Sequence, residues 1–109
     1  MITRSAIFRG RIREGREEEF YALVAERMIP AWQGMRHAMA VRVYRPVEAE
    51  PGMEDVFLVQ EIDYPSMEAV EEALAAPERE AAGRAMEAIR PLYEGFHHHV
   101  VYRPLTGDR

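Results

Sequence analysis

From Ile2 to Ile12 the chain alternates, with Ala6, Phe8, Gly10 and Ile12 on one side and Ser5, Ile7, Arg9 and Arg11 on the other, the period-two signature of a half-buried strand. The period then lengthens. After the acidic turn Glu17 to Glu19, Phe20, Leu23, Val24 and Met28 recur at helical spacing, and the carboxylates suit the positive end of that helix. Pro30 is expected to kink or end it, with Gly34 supplying a left-handed residue for the last turn. A second strand is predicted over Met39 to Arg45, a turn at Pro51 and Gly52 within the acidic loop Pro46 to Asp55, and a third strand over Val56 to Asp63. Ser66 is a candidate N-cap for a second helix with Val70, Leu74, Ala81, Ala85, Met86 and Ile89 on its apolar side, and Pro77 should divide that helix in two. Pro91 and Gly95 read as its terminator and His98 to Arg103 as the last strand.

The string Val-Tyr-Arg-Pro occurs twice, at Val43 to Pro46 and at Val101 to Pro104. Each copy follows a segment of similar pattern, Pro30 to His37 and Pro91 to His98, so a βαβ unit is expected to be used twice, over about 2–50 and 56–104. Aligning Ile12 with Ile62 gives an offset of 50 and aligning Pro30 with Pro91 gives 61, which makes the second helical region longer by 11 residues. On this reading Val43 and Val101 occupy equivalent places, and Tyr44 and Tyr102 share the opposite sheet face. The order βαββαβ predicts an α+β, ferredoxin-like fold: one domain over 1–109, a four-stranded antiparallel sheet, and both helical regions on one face.

Composition narrows the chemistry. There is no cysteine, which removes disulfides, thiolate metal sites and cysteine nucleophiles. The net charge is -5 with Arg interleaved among Glu, the wrong footprint for a phosphate backbone, so nucleic acid is not expected as a partner. No apolar run has the length of a signal peptide or membrane span, so no membrane is expected and a cytoplasmic location is. All fourteen basic residues are Arg, and the absence of Lys and Asn excludes Schiff-base and Asn-amide mechanisms.

The other sheet face would carry Ile7, Arg9, Phe57, Val59 and Glu61, too apolar for water and too charged for an ordinary core, and a homodimer through that face is the simplest solution. With this strand order, and with Tyr64 to Glu78 as an acidic, alanine-rich helix that breaks at Pro77, the chain resembles the dimeric α/β-barrel superfamily, most closely its EthD-like and antibiotic-biosynthesis-monooxygenase-like branch. The resemblance covers about Thr3 to Pro104 and rests on pattern rather than a catalytic motif. It implies a homodimeric α/β barrel with a small-molecule cavity between sheet and helices. It does not choose among cofactor-free oxygenases, isomerases, haem-degrading enzymes and non-catalytic effector binders. The Asn, Trp and His set common in quinone-forming relatives is missing its Asn, and haem-degrading relatives place a His on the second helix, where Met67 to Tyr93 contains none.

His98 and Tyr102 are the candidate proton-handling residues, because imidazole titrates near neutrality and a phenol can polarise a carbonyl. Arg9, Arg42, Tyr44 and Glu61 are the candidate ligand-binding residues, the arginines holding an anion by paired hydrogen bonds, provided the polar sheet face is the one that is buried. Cross-strand pairing of the same Arg and Glu residues is the competing reading. His97 and His99 point to one side of a strand but lack a third ligand apart from Glu61, so no metal is assigned, and no cofactor. The function read from this set is binding of a small aromatic or anionic compound between sheet and helices near His97 to His99, by a cofactor-free oxygenase or isomerase; the alternative is a non-catalytic sensor or accessory subunit.

Overall fold

The computed structural model describes residues 1–107, and Asp108 and Arg109 lie outside the described residues. The elements are β1 (Ile2–Ile12), α1 (Glu17–Leu23), a π-helical turn (Val24–Met28), α2 (Ile29–Gln33), β2 (Ala40–Tyr44), β3 (Val56–Tyr64), α3 (Met67–Ala75), α4 (Arg79–Ile89), a 3-10 turn (Arg90–Leu92) and β4 (Tyr93–Tyr102). The strands form one antiparallel sheet in the order β2-β3-β1-β4, with the helices on one face. The sheet is open: β2 and β4 are its edges, and a single chain does not close it into a barrel. Among the described residues no helix is long and apolar enough to cross a membrane.

Local sequence explains most boundaries. Phe20, Val24 and Met28 are buried along one stripe of the first helical region. Pro30 does not end that region. The backbone widens into π geometry immediately ahead of it, where the Ile29 N–H donates to Val24 O, so a proline without an N–H is carried in the first turn of α2. Gly34 is not left-handed (φ -85); the positive φ of this turn falls on His37 (φ 68). Ser66 caps α3 by accepting from the Ala69 N–H at 3.1 Å, and the break around Pro77 separates α3 from α4.

Two features lay outside the alternation pattern. Phe8 pairs with Leu58 but Arg9 pairs with Val56, so Phe57 is the extra residue of a β-bulge. The bulge turns Phe57 to the helix side, against the register that put it on the open face, and there it packs with Phe8, Phe20 and Tyr93 at centroid separations of 5.2–6.0 Å. The second concerns Gly95, which is not a helix terminator. It lies inside β4, which begins at Tyr93, five residues before the expected strand start at His98, and it sits directly opposite Gly10 (φ 154 and 135). A Cβ on Gly10 would be driven into the Glu94 carbonyl oxygen, and one on Gly95 into that of Arg9.

The two halves share element order but not one residue register. Val43 pairs with Gln60 and Val101 with Arg4, so equating the valines sets the central strands at an offset of 56, against the 50 implied by Ile12 and Ile62. Val43 and Val101 nonetheless point to the helix side, and Tyr44 and Tyr102 to the open side.

Because both glycines combine a positive φ with contact on opposing backbone, Gly10→Ala and Gly95→Ala are each expected to cost at least ~2 kcal/mol. The check is a lowered urea midpoint with an unchanged denaturant slope.

Candidate functional site

The helix-facing side of the sheet changes character along its length. At one end Phe8, Phe20, Phe57 and Tyr93 fill the space between the layers. Toward the other, β1 presents Ala6 and then Arg4, while the facing surface of α4 presents Ala82 and Gly83, so the layers leave a cleft of about 180 Å³. Phe8, Trp32, Met35, Ile62, Leu74 and Met86 make its apolar walls. Arg4, Gln60, Tyr64, Arg79, His97 and His99 bring its polar groups, and no carboxylate lines it.

The cleft brings together two arginines and no carboxylate. Arg9, Arg11, Arg13, Arg16, Arg36, Arg42 and Arg45 each pair with a carboxylate within 3.4 Å. Arg4 and Arg79 have no acidic partner among the described residues; Arg79 donates to the Leu74 carbonyl at 3.1 Å. Burial lowers the proton affinity of the half-buried Arg4; Tyr64 acts against this, and the like charge of Arg79 adds to it. Gln60 and Tyr64 are buried, yet no buried side-chain nitrogen or oxygen among the described residues is sealed off without a partner. Their polar ends, which have no hydrogen-bond partner among these residues, therefore meet the cleft.

His97 stacks on Phe8 at 4.7 Å and meets His99 edge-on at 5.2 Å. Burial, then Arg90 and Arg4, lower the His97 proton affinity; burial, then Arg4, His97 and Arg79, lower that of His99 to about 4. Both rings are thus neutral near pH 7, with a nitrogen free to accept a proton. Tyr64 is held in its neutral, donating form by burial.

None of the six residues nominated from the sequence lines this cleft. His98 pairs across from Ile7 and Tyr102 from Thr3, which puts both on the open sheet face. Alternation in β4 sends His97 and His99 one way and His98 the other. Arg42 is on the open face too, its fork gripping Asp63 through two bonds of 2.8 Å and its Nε donating to Glu61 at 2.9 Å. Thr3 completes the group by donating to Asp63 at 2.7 Å, and Tyr44 OH lies 3.3 Å from Glu61. Arg42 accordingly binds its proton more tightly than usual and Asp63 less tightly. Arg9 is engaged by Asp55 (2.7 Å) and by Gly52 O (3.0 Å). The structure brings Arg42, Tyr44 and Glu61 together as a cross-strand network, and separates all of them from the cleft by the thickness of the sheet. Glu61 does not converge with His97 and His99, and among the described residues no three His, Cys, Asp or Glu side chains are grouped to hold a metal ion. Trp32 is buried and lines the cleft.

No family model and no curated protein matches the chain. Solved structures do. An ethyl tert-butyl ether D (EthD) family protein from Bacillus halodurans aligns over 96% of this chain and 100% of its own, with a TM-score of 0.75 and 16% identity. SnoaB from Streptomyces nogalater, described as a cofactor-independent oxygenase, aligns over 97% and 94% with a TM-score of 0.66 and 17% identity. The fold is that of the EthD-like and monooxygenase-like ferredoxin-like proteins. A dimeric protein of unknown function and ferredoxin-like fold from Bacteroides fragilis aligns over 93% of each chain, with a TM-score of 0.62 and 17% identity. At these identities the likeness is one of fold.

The lowered histidines make a stability prediction. An unfolded histidine titrates near 6.5 and folded His99 near 4, so between these values the unfolded chain holds a proton that the folded chain does not. Stability from this source is complete above about pH 6.5, is lost as pH falls toward 4, and changes no further below it. His97 acts in the same sense, and water at the outer edge of His99 moderates the size of the effect. Urea midpoints measured at pH 7.5 and 4.5 should fall less in His99→Gln than in the wild type; equal falls would contradict the assignment.

Proposed function

We propose that this protein binds a small organic anion of aromatic character in the cleft and acts on it by proton transfer, the step from which a cofactor-free isomerase or oxygenase proceeds. The observation that carries the reading is the pair Arg4 and Arg79, two guanidiniums without a carboxylate, beside two neutral imidazoles in an apolar-walled cavity. A bound carboxylate or phenolate supplies the missing negative charge, and charge-assisted bonds to guanidinium are the strong kind. Size sets the body of the ligand: an apolar cavity of about 150 Å³ holds benzene, so a cleft of about 180 Å³ holds one ring with a small charged substituent. His97 is the proposed base. Its neutral nitrogen takes a proton from an acidic C–H or O–H, Arg4 holds the resulting enolate or phenolate, and neutral Tyr64 donates to it. The oxygenase-like fold of the neighbours supports this at the level of architecture.

Phenylpyruvate combines an aromatic ring, a carboxylate and an acidic C–H, and is the test compound. Calorimetry should show binding to the wild type and an affinity at least tenfold weaker for Arg4→Met, the loss expected for one charged hydrogen-bond partner. In D2O the wild type should accelerate exchange of the benzylic hydrogens over buffer, and His97→Gln should bind the compound but lose the acceleration. Binding without acceleration would favour the non-catalytic sensor or accessory role. No binding would remove the reading.

The assembly proposed is a homodimer through the open sheet face, closing the two sheets into an α/β barrel. Tyr44, Phe96, Val100 and Tyr102 are exposed on this face. The charges among them are already paired within the chain, Arg42 with Asp63 and Arg9 with Asp55, so covering the face strands no ion. Light scattering should give a mass near twice 12.6 kDa, reflecting an interface of at least ~1,000 Å², and Val100→Glu should shift it toward one subunit. A monomeric wild type at micromolar concentration would contradict the dimer.

A further inference from the structure

The side of α4 that faces the cleft is Arg79, Ala82, Gly83 and Met86, spaced i, i+3, i+4 and i+7 on one face of the helix. Gly83 stands out in this set. It lies in the middle of α4 with no positive φ, so neither turn geometry nor backbone conformation calls for glycine. Close packing does not call for it either, since a Cβ built there meets no heavy atom within 4 Å. Glycine is nevertheless among the poorest residues for a helix interior. What its missing side chain does is leave a notch in the helix wall, next to Ala82, at the exposed rim of the cleft.

From this we infer that Gly83 sets the size of ligand the cleft admits, and that the ligands it accommodates include fused two-ring aromatic acids. The cleft volume holds one ring beside Phe8, Trp32 and Met86, and Arg4 and Arg79 fix the carboxylate; a second ring has no room inward, where the aromatic cluster is closed, and passes outward over the Cα of Gly83. The inference deepens the ligand reading above and rests on it. A side chain at this position improves the helix and closes the notch, so stability and ligand range move in opposite directions.

Benzoate and 2-naphthoate titrated calorimetrically into the wild type, Gly83→Ala and Gly83→Leu test it. The wild type should bind both acids. Gly83→Ala should raise Tm by about 4 °C, the shift expected for replacing an unconstrained helical glycine, and should leave benzoate affinity within twofold. Gly83→Leu should fold with a Tm no lower than the wild type and should lower the 2-naphthoate to benzoate affinity ratio at least tenfold. An unchanged ratio in a folded Gly83→Leu protein would overturn the role of Gly83 while leaving the anion site intact. Failure of the wild type to bind either acid would overturn the anion site, and this inference with it.

Discussion

Two guanidiniums share one cleft with no carboxylate to balance them, and the arrangement of the rest of the molecule makes that imbalance possible. Removing a cation from water is costly unless it is paired; outside the cleft seven arginines pair with carboxylates within 3.4 Å, and Arg27, Arg90 and Arg103, which do not among the described residues, are exposed to water. Arg4 departs from this pattern. Its strand is held in place by Ala6 and Phe8 in the core and by ladders to β3 and β4 on either side, so the side chain has to emerge between sheet and helices. Fixed charge that the fold itself does not use is what a preorganised anion site consists of.

The sheet acts as the divider. Its open face gathers Arg42, Glu61, Asp63, Thr3 and Tyr44 into a network whose charges cancel locally, as the proposed dimer would require of the face it covers. Its helix-facing side keeps two neutral histidines, a phenol and an amide with the unbalanced arginines. Polar residues in alternate positions of the same strands therefore do different work, one set contributing to cohesion and the other presenting unpaired groups to a cavity. The Phe57 bulge contributes to the second set indirectly. By adding a ring to the cluster of Phe8, Phe20 and Tyr93 it closes one end of the interlayer space and leaves the cleft at the other.

Much of the architecture was legible in the sequence because period and punctuation are local properties. The 2–12 alternation, the Ser66 cap, the break at Pro77 and the order βαββαβ are all present in the structure. The length of β4 was not, because a glycine after a proline reads as a helix stop, and only the cross-strand approach to Gly10 shows why Gly95 belongs inside a strand. The site was less legible for a related reason. In a run of three histidines alternation separates His98 from His97 and His99 but does not say which side meets the helices, and the choice of His98 rests on the premise that the polar sheet face is the buried one, whereas the structure puts that face on the open side. One signal was present: Arg4 has the parity of Ala6 and Phe8, and Gln60 that of Leu58 and Ile62, so a charge and an amide stood within core stripes. Arg79 and Gly83 gave no comparable signal, since their importance depends on which side of α4 faces the sheet.

A crystal of the protein soaked with 4-bromobenzoate tests the central claim most directly, because bromine locates the ligand by its own anomalous scattering. The account places the bromine inward, against Phe8 and Trp32, with the carboxylate within hydrogen-bonding distance of Arg4. Bromine on the opposite face of the sheet, beside Arg42 and Tyr102, with the cleft holding no ligand, would contradict it.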